Sequence, residues 1–320
     1  MYNLGIDLGG TNIAAAVVDE NYKIIGRGKV KTNCPRPAEE IADDIYKAGI
    51  MAIENSGLKL DDIAQVGVGS PGSVNPETGY ICYAGNLDFI NVPLKELLEA
   101  RFGREVYLEN DANAAAYGEQ LAGAGKGAEQ FIAITLGTGV GGGVIQNGNI
   151  LSGSNHAGGE LGHIVIIKDG EPCTCGRSGC WEAYASATGL IRQTKAAMNK
   201  DKSSAMWKIV NGNIDAVNGK TAFDGMRAGD KTATEVVSAY CEYVGCGIAN
   251  IINIFQPEVL CIGGGISKEG ETLAAPVREY VSHQTFTKNV DKTTVIKTAV
   301  LGNDAGIIGA AFLGNIYKKH

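Results

Sequence analysis

Two short glycine-rich segments contain the residue types that bind phosphate groups. They are Asp7-Leu8-Gly9-Gly10-Thr11-Asn12 and Thr135-Leu136-Gly137-Thr138-Gly139. Glycines allow sharp turns in which successive backbone N–H groups form an anion-binding concavity, and the threonine hydroxyls add donors. Asp7 could hold Mg²⁺ through water, because this ion keeps much of its hydration shell. Glycine hairpins without a ligand are the alternative, but two copies, and a further glycine run at Gly263-Gly264-Gly265, favour a nucleotide site.

A histidine and three cysteines have the composition of a structural zinc site. Tetrahedral Zn²⁺ is commonly bound by three cysteines and one histidine, and the candidates are His163, Cys173, Cys175 and Cys180. Gly176 and Gly179 would permit the tight turns of a compact loop. Three free thiols or a dithiol switch are the alternatives, although a switch leaves His163 unexplained. A zinc ion with four protein ligands would be structural rather than a Lewis acid.

Two glutamates flank the predicted metal ligands and could bind hydroxyl groups. Glu160 lies three residues before His163, and Glu182 lies two residues after Cys180. A metal that fixes these ligands would also fix the directions of both carboxylates. Buried carboxylates need hydrogen-bond partners, and one carboxylate can accept hydrogen bonds from two neighbouring sugar hydroxyls. A pair of solvated surface glutamates is the alternative.

The dipeptide Asn110-Asp111 follows a short apolar run and precedes an alanine-rich segment. A helix N-cap is the plain interpretation of these residue types. The functional interpretation is that Asp111 is a general base for a substrate hydroxyl and that Asn110 orients the substrate. Phosphoryl transfer depends mainly on positioning and charge stabilisation, so one carboxylate that accepts a hydroxyl proton suffices.

Composition limits the class of protein that presents these groups. The chain has 320 residues, a net charge of −7 and 20% charged residues, which is typical of a globular protein of about two domains. The net negative charge disfavours binding to nucleic acid or to anionic membranes, since such binders normally show a basic face. No apolar run approaches the ~20 residues that span a bilayer, and no signal peptide is evident. We expect a cytoplasmic protein, in which the cysteines outside the zinc loop belong to the core.

The elements that position these groups follow from the hydrophobic pattern. Three strand-like runs within the first thirty residues predict an antiparallel meander, and a helix is predicted over 38–56. Near residue 131 the opening repeats at an offset of 128, with Ile6–Thr11 matching Ile134–Gly139. Two similar glycine hairpins could arise without duplication, but two related α/β domains explain the repeat better. Further helices are predicted over 92–102, from Asn110 or Asp111, over 232–255 and over 305–316.

Taken together, these segments resemble the ROK family of repressors, open reading frames and sugar kinases, and most closely its glucokinases. The resemblance covers essentially the whole chain. It rests on the two phosphate motifs, on Glu109-Asn110-Asp111-Ala112-Asn113-Ala114, and on two segments with the zinc signature, Glu160-Leu161-Gly162-His163 and Cys173–Glu182.

The resemblance implies a two-domain actin-like ATPase (ribonuclease H-like) α/β fold with duplicated β-rich domains and a cleft between them. The expected small domain is 1–111 plus 304–320, and the expected large domain is 112–303, with the zinc loop and a dimerisation surface. Asp111 is implied as the catalytic base. The implied sugar site comprises Gly72, Asn86, Asn110, Asp111, Glu160, His163 and Glu182. The implied ATP and Mg²⁺ site comprises Asp7, Gly9, Gly10, Thr11, Asn12, Thr135, Gly137, Thr138, Gly139, Gly264, Gly265 and Asn303.

The expected function is ATP-dependent phosphorylation of a hexose, with glucose 6-phosphate as the product from glucose. Kinases of N-acetylmannosamine, N-acetylglucosamine, fructose or mannose in the same family are alternatives, and polyphosphate could replace ATP. A non-catalytic sugar-responsive regulator is the alternative from another class. The acidic charge disfavours it, as does the absence of a DNA-binding segment ahead of Asp7. An actin- or chaperone-like ATPase would leave the zinc loop without a purpose. The family also implies a homo-oligomer, a dimer or tetramer.

Overall fold

The computed structural model describes residues 1–287 and 291–318 and has a mixed α/β architecture. The strands are β1 Tyr2–Leu8, β2 Asn12–Asp19, β3 Ile24–Lys31, β4 Ile63–Ser70, β5 Ser73–Asn75, β6 Tyr80–Ala84, β7 Phe89–Val92, β8 Val106–Asn110, β9 Phe131–Leu136, β10 Val140–Gln146, β11 Asn149–Ile150, β12 Val259–Gly263 and β13 Val295–Thr298. The α-helices are α1 Ala38–Ser56, α2 Leu94–Phe102, α3 Asp111–Ala122, α4 Glu182–Ala185, α5 Ala187–Lys200, α6 Met206–Ile209, α7 Thr221–Arg227, α8 Lys231–Phe255, α9 Glu271–Gln284, α10 Ala305–Ala311 and α11 Gly314–Tyr317.

Two five-stranded sheets have the same strand order. The first runs β3-β2-β1-β4-β8 and the second runs β11-β10-β9-β12-β13. In the first sheet β1 pairs antiparallel with β2 and parallel with β4, so the predicted meander is present. Strands β9 and β10 take the same places in the second sheet as β1 and β2 take in the first, as the sequence repeat at an offset of 128 residues predicts. The repeated order therefore agrees with a duplicated α/β unit.

Small residues let helices lie directly on the first sheet. A Cβ at Gly67 of β4 would come within 1.8 Å of the Ala310 carbonyl oxygen of α10, and a Cβ at Gly5 of β1 within 2.0 Å of the Ile307 carbonyl oxygen. Helix α1 covers the opposite face with Ile41, Ile45 and other buried apolar residues. Alternation along β1 thus separates a face that packs on α1 from the face that carries Asp7.

Three sequence expectations differ from the observed elements. The segment 73–92 forms an additional sheet, β5-β6-β7, that no pattern indicated, and it ends at Val92, where a helix was expected to begin. That helix starts at Leu94, after Pro93. The expected closing helix over 305–316 is divided into α10 and α11 by a turn at Phe312 and Leu313. The break brings Gly314 so close to Gln65 that a Cβ there would come within 1.7 Å of its Oε1.

The chain divides into two compact units. One comprises Met1–Ala133, Gly143–Gly159 and Val300–His320, and the other comprises Ile134–Gly142 and Glu160–Ala299. Helix α3 belongs to the first unit because it packs on α10, where a Cβ at Gly309 would meet the Ala114 carbonyl oxygen at 1.8 Å. This division places residues 112–133, 143–159 and 300–303 in the first unit, whereas the expected large domain comprised 112–303. The expected boundaries stay a prediction, and residues 288–290 and 319–320 of the expected domains lie outside the described part.

Among the described residues, no helix combines the length and apolar character that crossing a membrane requires.

Candidate active site

The helix that begins at Asp111 is fixed at its N-terminus by Asn110. The Asn110 side-chain oxygen accepts hydrogen bonds from the amides of Ala112 at 2.9 Å and Asn113 at 3.2 Å. Its Nδ2 donates to the Gly72 carbonyl oxygen at 3.0 Å. Asn110 is therefore both the N-cap that its residue type predicts and a contact of Gly72, another expected sugar-site residue. Gly72 has a φ of +89°, and a Cβ there would come within 2.0 Å of the Tyr83 carbonyl oxygen.

Asp7 and Asp111 form a pair of interacting carboxylates in the first unit. Burial raises the pKa of Asp7 to about 6, and the negative charge of Asp111 contributes to this shift. Burial also raises the pKa of Asp111, while the hydrogen bond from its neighbour Ala112 acts in the opposite direction. Two like charges in a desolvated place are unfavourable unless a cation or a proton compensates them. The pair fits a divalent cation, and it leaves Asp111 a stronger base than an exposed aspartate.

The first phosphate hairpin, the turn Gly9–Asn12, is fixed by hydrogen bonds that its carbonyl groups accept. Thr32 donates from Oγ1 to the Gly9 carbonyl oxygen at 2.6 Å and from its amide to that of Thr11 at 3.1 Å. The Cys34 thiol donates to the Gly10 carbonyl oxygen at 3.1 Å. The Asn86 side chain lies against Gly10, because a Cβ at Gly10 would be 3.3 Å from Asn86 Nδ2. Asn86, expected in the sugar site, therefore lies at the phosphate hairpin.

The second phosphate hairpin, the turn Gly137–Gly139, is fixed in the same way by hydrogen bonds from other residues of the second unit. The Ala187 amide donates to the Gly137 carbonyl oxygen at 2.8 Å, and Thr188 Oγ1 donates to that of Thr138 at 2.7 Å. Within the part of the chain that the structure describes, no hydrogen bond uses the amides of Gly10, Thr11, Thr138 or Gly139. Each hairpin thus has occupied carbonyl groups and two adjacent free N–H donors, which is the arrangement of an anion site.

Glu182 connects the predicted metal loop with the second hairpin. Its Oε2 accepts the Val140 amide at 2.9 Å, and its Oε1 lies 3.4 Å from Thr174 Oγ1. A Cβ at Gly139 would come within 2.3 Å of Glu182 Oε2, so a larger residue there would displace this carboxylate from the Val140 amide. Trp181 fixes the preceding position, because it is fully buried and donates from Nε1 to the Tyr243 carbonyl oxygen at 2.8 Å. Sequence reasoning assigned Glu182 to the sugar alone and missed this contact.

The four predicted metal ligands come together. The candidate ligand atoms of His163, Cys173, Cys175 and Cys180 all lie within 4.8 Å of one another. Cys175 Sγ and Cys180 Sγ are 3.6 Å apart, and Cys173 Sγ is 3.7 Å from His163 Nδ1. Thiolates bound at ~2.3 Å to a tetrahedral zinc lie about 3.8 Å apart, so the donor set and its spacing fit this metal. Gly176 and Gly179 have φ of +85° and +82°, as the tight loop requires.

The remaining expected site residues are placed within their own units. Thr135 is the residue before the last one of β9, and Gly264, with a φ of +85°, is in close contact with the backbone of Leu136. Gly265 has open space around it. Glu160 is exposed and begins the short turn that carries His163. Asn303 is exposed beside Asp304, which forms a two-bond ion pair with Arg27 at 2.7 and 2.8 Å.

Comparisons with known proteins agree with this geometry. The structure of a ROK family glucokinase from Streptomyces griseus in complex with glucose and AMPPNP superposes with a TM-score of 0.80 at 38% identity, covering 98% of this chain and 99% of that chain. A ROK hexokinase from Thermus thermophilus superposes with a TM-score of 0.79 at 33% identity, covering 97% of each chain. The expected actin-like ATPase fold is therefore confirmed.

The family assignment rests on the whole chain. A model of the ROK family matches residues 3–315. A glucokinase of Halalkalibacterium halodurans is 38% identical over 311 residues, which are 97% of this chain and 94% of that protein. The chain belongs to the ROK family, as its motifs indicated.

The raised pKa of Asp7 predicts a pH-dependent stability. Below pH ~4 Asp7 is protonated in both the folded and the unfolded protein and has no effect. As pH rises towards 6, the unfolded chain releases its proton first, so folding stability falls, by about 2–3 kcal/mol in total. We expect Asp7→Asn to raise the free energy of unfolding of the metal-free protein by about this amount at pH 7.5, and by little at pH 4.

Urea unfolding between pH 4 and 8 measures this difference. Asp169→Asn is the matched control, because the Asp169 side chain is 85% exposed, and it should leave the curve unchanged. An Asp7→Asn protein with wild-type stability at every pH would contradict the burial of this charge.

Proposed function

We propose that this protein is an ATP-dependent hexokinase that converts glucose to glucose 6-phosphate. The supporting observation is the partly buried Asp111 carboxylate, held at the start of α3 beside Asp7, in a chain that is 38% identical to a glucokinase over nearly its full length. A carboxylate with a raised pKa and a place for a cation beside it is what deprotonation of an alcohol during phosphoryl transfer requires. Kinases for other hexoses and a non-catalytic regulator have no comparable support.

The proposed reaction assigns each group one role. Asp111 accepts the proton of the sugar 6-hydroxyl as its oxygen attacks the terminal phosphorus of ATP, and ADP leaves. Asp7 would hold Mg²⁺ through water, and the ion would neutralise phosphate charge. The free amides of Gly10, Thr11, Thr138 and Gly139 would bind phosphate oxygens. Sugar hydroxyls are assigned to Gly72, Asn86, Asn110, Glu160, His163 and Glu182. The remaining nucleotide contacts are assigned to Gly9, Asn12, Thr135, Gly137, Gly264, Gly265 and Asn303.

We further propose that Zn²⁺ binds to His163, Cys173, Cys175 and Cys180 and stabilises the loop. One ring nitrogen of His163 would bind the ion, and the other would face the sugar, in line with the rule that both nitrogens of a metal-bound histidine are engaged. A homo-oligomer and a cytoplasmic location stay predictions from the family and the sequence.

The proposed substrate is tested by measuring ADP release from ATP and Mg²⁺ with a panel of acceptors. The panel contains glucose, mannose, fructose, N-acetylglucosamine, N-acetylmannosamine and no sugar, and polyphosphate replaces ATP in a parallel series. We expect strong stimulation by glucose. Preference for an N-acetyl sugar would retain the base and change the substrate, whereas no stimulation by any sugar would favour a regulator.

The general base is tested with Asp111→Asn. This substitution preserves the shape of the side chain and removes the proton acceptor, so we expect kcat to fall at least ~10³-fold while glucose still binds. In the wild type the raised pKa of Asp111 predicts that kcat falls on the acid side at a higher pH than for an ordinary aspartate. Calorimetric glucose binding together with initial rates gives both quantities, and near-normal turnover of Asp111→Asn would exclude this role.

The metal is tested by elemental analysis of the purified protein. We expect about one zinc per chain, and we expect Cys175→Ser to lose most of it and to lower the melting temperature. Cys82→Ser is the control, since Cys82 lies outside the cluster. Folded, active protein without zinc would refute the site.

A further inference from the structure

Glu109 is an ionisable side chain buried next to the predicted base. It is 1% exposed, and its carboxylate has three hydrogen-bond partners. The Asn110 amide donates to Oε1 at 2.7 Å, and Asn113 Nδ2 donates to the same oxygen at 3.0 Å. The Tyr317 hydroxyl donates to Oε2. Glu109 thus accepts hydrogen bonds from Asn110, directly before Asp111, and from Asn113, two residues after it.

Tyr317 reaches this carboxylate from the last helix of the first unit. Helix α11 is held on the sheet because Gly314 packs closely on Gln65, whose Nε2 donates to the Ala311 carbonyl oxygen at 3.0 Å. Phe312 adds an edge-to-face contact with Tyr22, with ring centroids 4.8 Å apart. The packing of α11 therefore fixes the position of the Tyr317 hydroxyl, although Tyr317 and Glu109 are 208 residues apart in the sequence.

These contacts constrain the backbone on both sides of Asp111. Asn110 has its amide bound by Glu109 and its side chain bonded to Ala112, Asn113 and Gly72, so it cannot turn without breaking several bonds at once. Burial raises the pKa of Glu109, and the hydrogen bonds from Asn113, Tyr317 and Asn110 oppose that shift. Core packing alone does not require a carboxylate here, because apolar residues avoid the desolvation cost.

We propose that Glu109 and Tyr317 are positioning residues, through which the last helix of the chain sets the direction of the Asp111 carboxylate. The amino-acid sequence does not predict this role of Tyr317, since Tyr317 lies in no recognised motif. The catalytic consequence rests on the proposed function, because it takes Asp111 as the base. The structural consequence, a fixed 110–113 backbone, is independent of it.

The test is Tyr317→Phe, which removes one hydroxyl and retains the ring. Tyr107→Phe is the matched control, because Tyr107 lies on the same strand as Glu109 and its hydroxyl interacts with Glu105 rather than with Glu109. Two quantities are measured in the full-length protein: kcat and KM, with kcat normalised to glucose-binding sites counted by calorimetry, and the hydrogen exchange of the amides of residues 110–113.

For Tyr317→Phe we expect about a tenfold loss of kcat per binding site, with KM for glucose and ATP within about twofold of wild type. The 110–113 amides should exchange about tenfold faster at equal global stability, while Tyr107→Phe changes neither quantity. Glu109→Gln should lose kcat similarly, and adding Tyr317→Phe to it should cause little further loss, as expected of residues that act through one contact.

The two proposals fail in different ways. Wild-type exchange at residues 110–113, or unchanged kcat per site in Tyr317→Phe, would overturn the positioning role even if glucose is confirmed as the substrate. A wild-type protein without sugar-dependent ADP release would overturn the proposed function, and the exchange measurement would still decide whether Tyr317 fixes this turn.

Discussion

The placement of two carboxylates, Asp7 and Asp111, on one face of the first sheet is the constraint on which the rest of this unit depends. Burial and mutual repulsion disfavour their ionised forms, and burial raises the pKa of each. Helix α3 begins at Asp111 and packs against Gly69, which pairs with Asp7 in the sheet. At Gly69 of β4 a Cβ would be 3.5 Å from the Cα of Asp111. Under the proposed function, a cation bound here would compensate the negative charges of both the carboxylates and the phosphate chain.

Different residues bind the carbonyl groups of the two phosphate hairpins. In the first, Thr32 and Cys34 bond the carbonyl groups from the adjoining strand end. In the second, Ala187 and Thr188 do so from the start of α5. Both sets leave adjacent amides free for an anion. The duplicated sheets therefore preserve the geometry of the turn, whereas the groups that support each turn differ between the copies.

Local patterns were sufficient for the features that depend on neighbouring residues. The meander, a helix start at Asn110 or Asp111 and the clustering of His163 with three cysteines were predicted because glycine, asparagine and cysteine spacings impose local geometry. The sequence could not reveal contacts between distant segments. Nothing near Tyr317 indicates Glu109, and nothing near Glu182 indicates the Val140 amide. The sheet β5-β6-β7 was missed because its strands have 3 to 5 residues, too few for a clear alternation.

Glu182, which we propose as a sugar-binding residue, is held next to the cluster of His163 and three cysteines. Its Oε2 accepts the Val140 amide, and its Oε1 accepts the Thr174 hydroxyl at 3.4 Å, so both carboxylate oxygens have partners within the second unit. Trp181 restrains the backbone on one side, and the ligand cluster at Cys173 and Cys180 restrains the loop around it. Because Glu182 Oε2 lies against Gly139 and accepts the Val140 amide, any shift of this carboxylate would disturb the second hairpin. Under the proposed function, one side chain would therefore connect sugar recognition with phosphate binding.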